Sequence, residues 1–246
     1  MNKIKNSTLR IMFAGASGTG KTTLAKWLSS TTLAKGLSSK ILTTPPFVSG
    51  SVSDLLPDTK SMSHMDMLSR DKDDLVKEDY QILNLRNKLY QGYTEKDDAF
   101  ITDRSYIDSA AYFIYKQSDS QPQCEIEQFV SLCQMCLNKQ CTHLVFLPFT
   151  MNMFYSWVTE DNNKRITSKF FQMEISRIMS MVMDIMGYRK LGYIDNIYES
   201  FLKNKSFEYG AEYGIIESAY GKTRVLFLNE TNLENRKSLL LHFLNR

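Results

Sequence analysis

Eight consecutive residues near the N-terminus constrain this chain more than any other feature. Gly15-Ala-Ser-Gly-Thr-Gly-Lys-Thr22 matches the pattern G-x-x-x-x-G-K-[ST], follows the apolar run 9–14 and precedes an amphipathic segment. This order predicts a strand, a phosphate-binding loop and a helix. Backbone N–H groups of such a loop surround phosphate oxygens at the positive end of the helix. We expect the phosphates of a nucleoside triphosphate to be bound by Gly15, Ala16, Ser17, Gly18, Thr19, Gly20, Lys21, Thr22 and Thr23.

Two side chains of the loop have an expected role in chemistry. Lys21 would supply a positive charge to the β- and γ-phosphates, and the hydroxyl of Thr22 is the expected ligand of a bridging Mg²⁺ ion. A glycine-rich turn without a ligand is the alternative, but both flanking segments agree with phosphate binding. The predicted cofactors are therefore ATP and Mg²⁺.

The composition is that of a globular chain with room for a core. With 246 residues, 43% hydrophobic and 23% charged, the chain fits one α/β domain. No apolar run approaches the roughly 18 residues of a membrane span, and the polar N-terminus leads directly into the first strand. We expect a cytoplasmic protein without a membrane partner. The net charge of +3, with scattered lysines, does not by itself indicate nucleic-acid binding.

Apolar runs alternate with helical patterns along the chain, which predicts an α/β fold. The expected architecture is a three-layer P-loop NTPase fold with a five-stranded parallel sheet flanked by helices. The predicted strands are residues 9–14, 40–44, 100–103, 143–147 and 223–228. The predicted helices are 22–33, 74–90, 107–115, 125–138 and 164–186, with a closing helix marked by Leu233, Leu240, Leu241 and Leu244. Residues 1–246 form a single predicted domain, with a mobile loop at about 45–69, a lid at about 157–169 and an aromatic insertion at about 188–220.

The end of the third predicted strand carries a second chemical signal, Asp103-Arg104-Ser105. Ligands of open α/β sheets bind beyond the carboxyl ends of the strands, so Asp103 and Arg104 should face the same cleft as the loop. Asp103 is a candidate to hold Mg²⁺ or to accept a proton from an attacking hydroxyl. Arg104 is a candidate to bind an acceptor phosphate or the transferring γ-phosphoryl group. A surface salt bridge is the alternative.

Basic residues at the start of the long helix, Lys164, Arg165 and Lys169, predict a lid. Such lids close over phosphates and exclude water, and Arg165 is the candidate lid arginine. A solvated helix N-terminus capped by Asp161 is the alternative.

Gln81 lies on the second predicted helix. An amide donates and accepts hydrogen bonds at once, which suits recognition of a nucleobase edge. Exposure to solvent explains this residue equally well.

Cys133, Cys136, Cys141 and His143 have a spacing that superficially resembles a zinc site. However, Cys133 and Cys136 lie on the apolar stripe of their predicted helix, and His143 begins a predicted buried strand. We therefore expect these residues to belong to the core.

These motifs resemble those of the P-loop kinases of nucleosides and nucleotides. The similarity is closest to the AAA_28-type ATPase/kinase group related to nicotinamide ribonucleotide metabolism, and to the deoxynucleoside kinases. In the first group, Asp-Arg-Gly followed by Asp and an aromatic residue is similar to Asp103-Arg104-Ser105 with Asp108 and Tyr112 here. In the second, a helix glutamine that reads the base resembles Gln81. The resemblance covers roughly residues 9–187 and the last strand, and implies acceptor-side roles for Gln81, Arg104 and Asp108.

The chain departs from these families after its second predicted strand. They usually place an acidic residue there, often the catalytic base in deoxynucleoside kinases, whereas residues 41–47 contain none and the nearest acid is Asp54. Either Asp103 takes the role of the base, or the acceptor differs from a free nucleoside.

Together, the residues and the resemblance predict an ATP-dependent kinase with a nucleoside- or nucleotide-type acceptor. Lys21 and an arginine, Arg104 or Arg165, would stabilise the transferring group. One alternative is a P-loop kinase acting on a hydroxymethylated base within DNA, so that nucleic acid is possible as the acceptor, because an aromatic insertion suits stacking on exposed bases. The other is a regulatory switch that binds and slowly hydrolyses a nucleoside triphosphate. The oligomeric state stays open.

Overall fold

The computed structural model describes residues 8–30, 45–61, 71–117, 122–149, 169–188, 211–218 and 221–245. The strands in this part of the chain are β1 (Arg10–Ala14), β2 (Phe100–Thr102), β3 (His143–Phe146), β4 (Ala211–Ser218) and β5 (Gly221–Leu228). The α-helices are α1 (Lys21–Ser30), α2 (Val52–Leu55), α3 (Lys72–Glu95), α4 (Tyr106–Gln117), α5 (Gln123–Gln140), α6 (Lys169–Ile185) and α7 (Leu233–Leu244). Among these described helices, none has the length and apolar character needed to cross a membrane.

The strands form one sheet in the order β2-β1-β3-β5-β4. β1 pairs in parallel with β2 and β3, and β3 pairs in parallel with β5. β4 instead runs antiparallel to β5, with Ala211 opposite Leu228 and Ser218 opposite Gly221. The predicted parallel sheet flanked by helices is confirmed as the overall architecture, but β4 is an antiparallel edge strand of this sheet.

β4 lies within the predicted aromatic insertion 188–220, where the sequence pattern indicated no strand. Only residues 219 and 220 separate β4 from β5 in the chain. A connection this short joins antiparallel neighbours, whereas a parallel pair needs a crossover of a dozen or more residues. The last part of the insertion therefore extends the sheet, and residues 189–210 lie outside the described residues.

The predicted second strand, 40–44, also lies outside the described residues. Directly after it, Val48 N–H donates to the carbonyl of Ile101 (2.8 Å), and Ile101 N–H donates to the carbonyl of Pro46 (2.9 Å). The helix α2 and a 3₁₀ turn at Pro57–Ser61 follow within the predicted loop 45–69, whose mobility stays a prediction. This short pairing brings the segment alongside β2.

Helices cover both faces of the sheet. Side chains of a strand alternate between its faces, so Met12 and Ala14 pack with α3, α4, α5 and α6, while Ile11 and Phe13 pack with α1 and α7. All four of these side chains are fully buried. Burial on both faces explains why the parallel strands read as continuous apolar runs in the sequence.

The six predicted helices correspond to α1, α3, α4, α5, α6 and α7. A glycine follows the end of α6. Gly187 has φ 78°, and Tyr188 N–H donates back to the carbonyl of Met183 (2.8 Å). This is the hydrogen-bond pattern of a helix that ends at a left-handed glycine. The predicted first residues of this helix, 164–168, lie outside the described residues.

Cys133, Cys141 and His143 belong to the core, and partly buried Cys136 packs against it. Cys133 and Cys141 are buried, and burial raises the pKa of the Cys141 thiol to about 12. Burial likewise lowers the pKa of His143 to about 3, with Arg224 acting in the same direction, so the imidazole is neutral. Within the described ranges, no three His, Cys, Asp or Glu side chains are grouped as a metal site would require.

Candidate active site

The phosphate-binding loop depends on three glycines with positive φ: Gly15 (149°), Gly18 (80°) and Gly20 (92°). Residues with a Cβ rarely adopt these conformations. A Cβ on Gly15 would also overlap the carbonyl oxygen of Leu147, because the loop packs against the end of β3. The first helical bond of α1 runs from Leu24 N–H to Gly20 O (3.0 Å), so the N–H groups that precede Leu24 have no partner inside the helix. They are available to an anion.

Lys21 is buried inside this loop, with 5% of its surface exposed. Its ammonium group donates to the carbonyl oxygens of Gly15 and Ala16, the second at 2.8 Å. Burial lowers the pKa of Lys21 to about 8, although the nearby carboxylates of Asp108 and Asp103 act in the opposite direction. Burial deprives the Lys21 charge of stabilisation by water, and a phosphate bound in the loop would stabilise this charge instead.

Thr22 and Asp103 are brought together as the sequence predicted for a metal site. Thr22 Oγ1 donates to Asp103 Oδ2 at 2.5 Å. Asp103 is 5% exposed, and its Oδ1 is buried without a hydrogen-bond partner among the described residues. A hydroxyl and a carboxylate oxygen are ligands that Mg²⁺ prefers, so this pair fits the ion.

A reciprocal cap orients Asp108 at the start of α4. Ser105 Oγ accepts from the N–H groups of Ile107 (3.1 Å) and Asp108 (3.4 Å). In return, Asp108 Oδ2 accepts from Ser105 N–H (3.0 Å) and Ser105 Oγ (2.8 Å). This arrangement resembles a capping box, in which an acidic side chain three residues after the cap reaches back to it. The cap leaves Asp108 Oδ1 for other partners.

Asp108 Oδ1 lies between two cations. It is 3.9 Å from Lys21 Nζ and 3.6 Å from Arg104 Nη1. Burial disfavours the charged form of Arg104, but Asp108, Tyr112, Asp103 and Tyr90 together outweigh it, so the pKa of Arg104 lies above its ordinary value. The Arg104 side chain keeps 28% exposure, so it is open to solvent beside the phosphate-binding loop.

Of the other predicted site residues, the structure describes Gln81 and Lys169 but not Arg165. Arg165 and the predicted lid up to residue 168 lie outside the described residues, and Lys169 is the first residue of α6. Gln81 is exposed on α3. At 3.6 residues per turn it lies about 140° around the helix from Arg86, which is buried on the face toward α4.

Arg86 is a buried charged residue beside the candidate site that the sequence analysis missed. Its guanidinium donates to the carbonyl of Gly50 (2.8 Å) and to Ser109 Oγ, and so connects α3 with the segment beside β2 and with α4. Ile82, Arg86 and Tyr90 are all buried at a spacing of four residues. An arginine on the apolar stripe of a helix is the signal that could have identified it.

Tyr90, one turn further along α3, supports the end of β2. Its hydroxyl lies 2.8 Å from Thr102 Oγ1 and donates to the carbonyl of Arg104 at 3.2 Å. Burial raises the pKa of Tyr90 to about 12, which keeps the phenol protonated. The backbone that carries Asp103 and Arg104 is therefore held from α3.

Arg236, on α7, was also missed. It is 4% exposed, and its Nη1 donates to the carbonyl of Thr19 in the phosphate-binding loop at 2.6 Å. Its Nε donates to the carbonyl of Glu230. The sequence offered no signal for this contact, because the two residues lie 217 positions apart.

Comparison with known proteins identifies the family. No curated protein is significantly similar to the chain in sequence. A thymidylate kinase from Candida albicans is one solved structure that is similar, with 13% identity, a TM-score of 0.41, and coverage of 81% of this chain and 93% of that chain. The sequence model of the AAA_28 family, described as an AAA domain, matches residues 10–191, a range that includes the phosphate-binding loop, Asp103 and Asp108. This agrees with the resemblance seen in the motifs, and the chain belongs to the AAA_28 family.

Proposed function

We propose that this chain is a phosphotransferase that moves the γ-phosphoryl group of ATP to a nucleoside- or nucleotide-type acceptor. The observation that carries the proposal is the convergence of Lys21, Thr22, Asp103, Arg104 and Asp108 at one edge of the sheet. Phosphoryl transfer depends chiefly on positioning and on charge stabilisation, and this cluster supplies both.

The donor side is formed by the loop and α1. The N–H groups of residues 20–23 and the positive end of α1 would bind phosphate oxygens. The Lys21 ammonium would leave the carbonyls of Gly15 and Ala16 and bind the β- and γ-phosphates. Thr22 and Asp103 would hold Mg²⁺, which when bound neutralises charge on the same phosphates.

The acceptor side is formed around Arg104. Gly50 packs so closely there that a Cβ would overlap the Tyr90 hydroxyl and lie 3.3 Å from Arg104 Cβ. Half-buried Tyr112 lies close enough to Arg104 to interact with it electrostatically, and its ring centroid lies 6.4 Å from that of Phe171. An arginine bordered by aromatic rings suits an acceptor with a base and a phosphate. A role for Gln81 in reading the base stays a prediction.

The two carboxylates of the cluster favour a nucleotide over a free nucleoside. Asp103 is engaged by Thr22 and would hold Mg²⁺, and Asp108 is engaged by Ser105, Lys21 and Arg104. Neither is therefore well suited to remove a proton from a sugar hydroxyl. A phosphate acceptor needs no such step, since its attacking oxygen carries no proton near neutral pH. Asp108 would then act by orienting Lys21 and Arg104.

The test is transfer of label from ATP carrying ³²P in its γ position. The protein is incubated with Mg²⁺ and, in separate reactions, nucleosides, nucleoside monophosphates and DNA containing hydroxymethylated bases. We expect label in a free nucleotide, and its loss in the Lys21→Ala variant. Lys77→Ala is the matched control, because Lys77 is exposed on α3 and pairs with Asp74, three residues before it (3.3 Å).

Each remaining outcome argues against the proposal. Label in DNA alone would identify a kinase of modified DNA. Release of phosphate at a rate that no acceptor changes would identify a hydrolytic switch. Transfer that persists in Lys21→Ala would contradict the assignment of the phosphate-binding loop itself.

A further inference from the structure

We propose that Arg236 is a positioning residue that orients the Gly20 N–H group toward the bound phosphates. The inference deepens the proposed function, since it rests on phosphate binding by the loop. It concerns a residue from the last helix of the chain, outside the range 10–191 that defines the family match.

The first step is the contact between Arg236 and the loop. Arg236 Nη1 donates to the Thr19 carbonyl at 2.6 Å, and the side chain is 4% exposed. A hydrogen bond from a charged donor in a buried setting is stronger than a neutral one and is fixed in direction. Arg236 therefore determines where the Thr19 carbonyl points.

The second step follows from the geometry of the peptide bond. No cis peptide occurs in the described residues, and in a planar trans peptide the C=O and the following N–H point in opposite directions. Arg236 binds the Thr19 carbonyl from the side of α7, so the N–H of Gly20 points away from α7 and toward the inside of the loop. This N–H immediately precedes Lys21.

The third step is the way in which the rest of the loop is held. Thr19 N–H and Thr19 Oγ1 both donate to the Ala16 carbonyl, at 3.4 and 2.9 Å, so these groups are bound within the loop. The Thr19 carbonyl is instead bound from outside. Gly20 has φ 92°, and a Cβ there would lie 3.0 Å from Arg236 Nη1. The Thr19–Gly20 peptide is thus the point where α7 binds and orients the loop.

The environment of Arg236 agrees with a specific role. Burial lowers its pKa to about 10, which leaves the guanidinium charged at neutral pH. Nη2 is buried without a hydrogen-bond partner in the part of the chain that the structure describes. A buried cation with an unpartnered group is costly for stability.

The experiment measures binding of ATP, inorganic tripolyphosphate and adenosine to the Arg236→Met variant by titration calorimetry with Mg²⁺. We expect the affinity for ATP and for tripolyphosphate to fall by the same factor, about tenfold, with adenosine unchanged. Arg236→Lys keeps the charge, but one ammonium cannot reproduce the fork that binds both Thr19 and Glu230. It should recover part of the loss.

Arg10→Met is the matched control. Arg10 is a partly buried arginine that pairs with Asp97 at 3.3 Å, and it begins β1 at the end opposite the phosphate-binding loop. This variant should lower the melting temperature and bind tripolyphosphate as the wild type does.

The result that overturns the inference is a folded Arg236→Met variant with wild-type affinity for tripolyphosphate below its melting temperature. If the Arg236→Met variant does not fold, the Arg236→Lys variant is used instead. Wild-type affinity of Arg236→Lys for tripolyphosphate would also overturn the inference. A direct signal is the Gly20 amide proton resonance, which tripolyphosphate should shift in the wild type and shift less in Arg236→Lys. If wild-type protein fails to bind tripolyphosphate, the proposed function fails instead, so the two failures are distinguishable.

Discussion

The hydroxyl of Thr22 donates a hydrogen bond of 2.5 Å to Oδ2 of Asp103, a residue 81 positions further along the chain. The contact exists because β1 and β2 are parallel neighbours, so the segments that follow them emerge at the same edge of the sheet. It joins the loop that binds phosphates to the strand that carries an acidic side chain.

Asp103→Asn should weaken the use of Mg²⁺. The amide preserves the shape and can still contact Thr22, but it removes the charge of a hard oxygen ligand. We expect the Mg²⁺ concentration for half-maximal transfer to rise about 10- to 100-fold. Asp98→Asn, an exposed change before the start of β2, should leave the Mg²⁺ dependence unchanged. An unaltered dependence in Asp103→Asn would contradict the metal site.

Nucleotide binding should take up protons above pH 8. Without ligand, the pKa of Lys21 is lowered to about 8, mainly by burial, and a polyphosphate in the loop raises it. As pH increases through 8, the unbound form loses its proton first and the affinity for ATP falls. Calorimetry at pH 8.5 in two buffers of different ionisation enthalpy measures the uptake. The same uptake in Lys21→Ala would assign the proton to another group.

Removal of the Lys21 charge should stabilise the unbound protein. The folded-state pKa lies below the unfolded value, so burial of the ammonium costs stability below pH 8, and this cost disappears as pH rises toward 10.5. We expect Lys21→Met to increase the free energy of unfolding at pH 7 by about 1 kcal/mol while it abolishes transfer. Urea denaturation at pH 7 and 9 tests the prediction, which requires a smaller difference at the higher pH.

Asp108→Asn should shift the pH dependence of transfer. Asparagine can still accept the Ser105 N–H bond, so the start of α4 is preserved, but the charge that raises the pKa of Lys21 is lost. The Lys21 ammonium then loses its proton at lower pH. The alkaline limb of the pH–rate profile should therefore move to lower pH. Asp74→Asn, exposed on α3, is the control. An unmoved alkaline limb would show that Asp108 does not act on Lys21.

Gly15→Ala should disrupt the loop. The added methyl group would overlap the Leu147 carbonyl, and φ of 149° is unfavourable for alanine. We expect a loss of about 1–3 kcal/mol in the free energy of unfolding together with a loss of ATP binding. Gly92→Ala is the matched control, because it lies within α3 with nothing within 4 Å of the new Cβ. It should stabilise the protein by about 0.5–1 kcal/mol.

The features that could be predicted from the sequence depend on interactions over a few residues. The phosphate-binding loop, the apolar parallel strands and the periodic helices are of this kind, as is the proximity of Ser105 and Asp108. The edge strand β4 was missed because an aromatic, glycine-containing segment has no distinctive period of its own. Its pairing depends on β5, which lies beside it.

The sequence alone thus determined that the chain has a phosphate-binding loop and an acidic strand end at one edge of a parallel sheet. Only the tertiary structure decided that Arg86 from α3 and Arg236 from α7 lie beside the site, and that Asp108 lies between Lys21 and Arg104. The physical reason is the distance along the chain between the groups that interact. Helix and loop signals arise from neighbouring backbone groups, whereas a bond such as that from Arg236 to Thr19 forms only when the packing of helices on the sheet brings distant segments together.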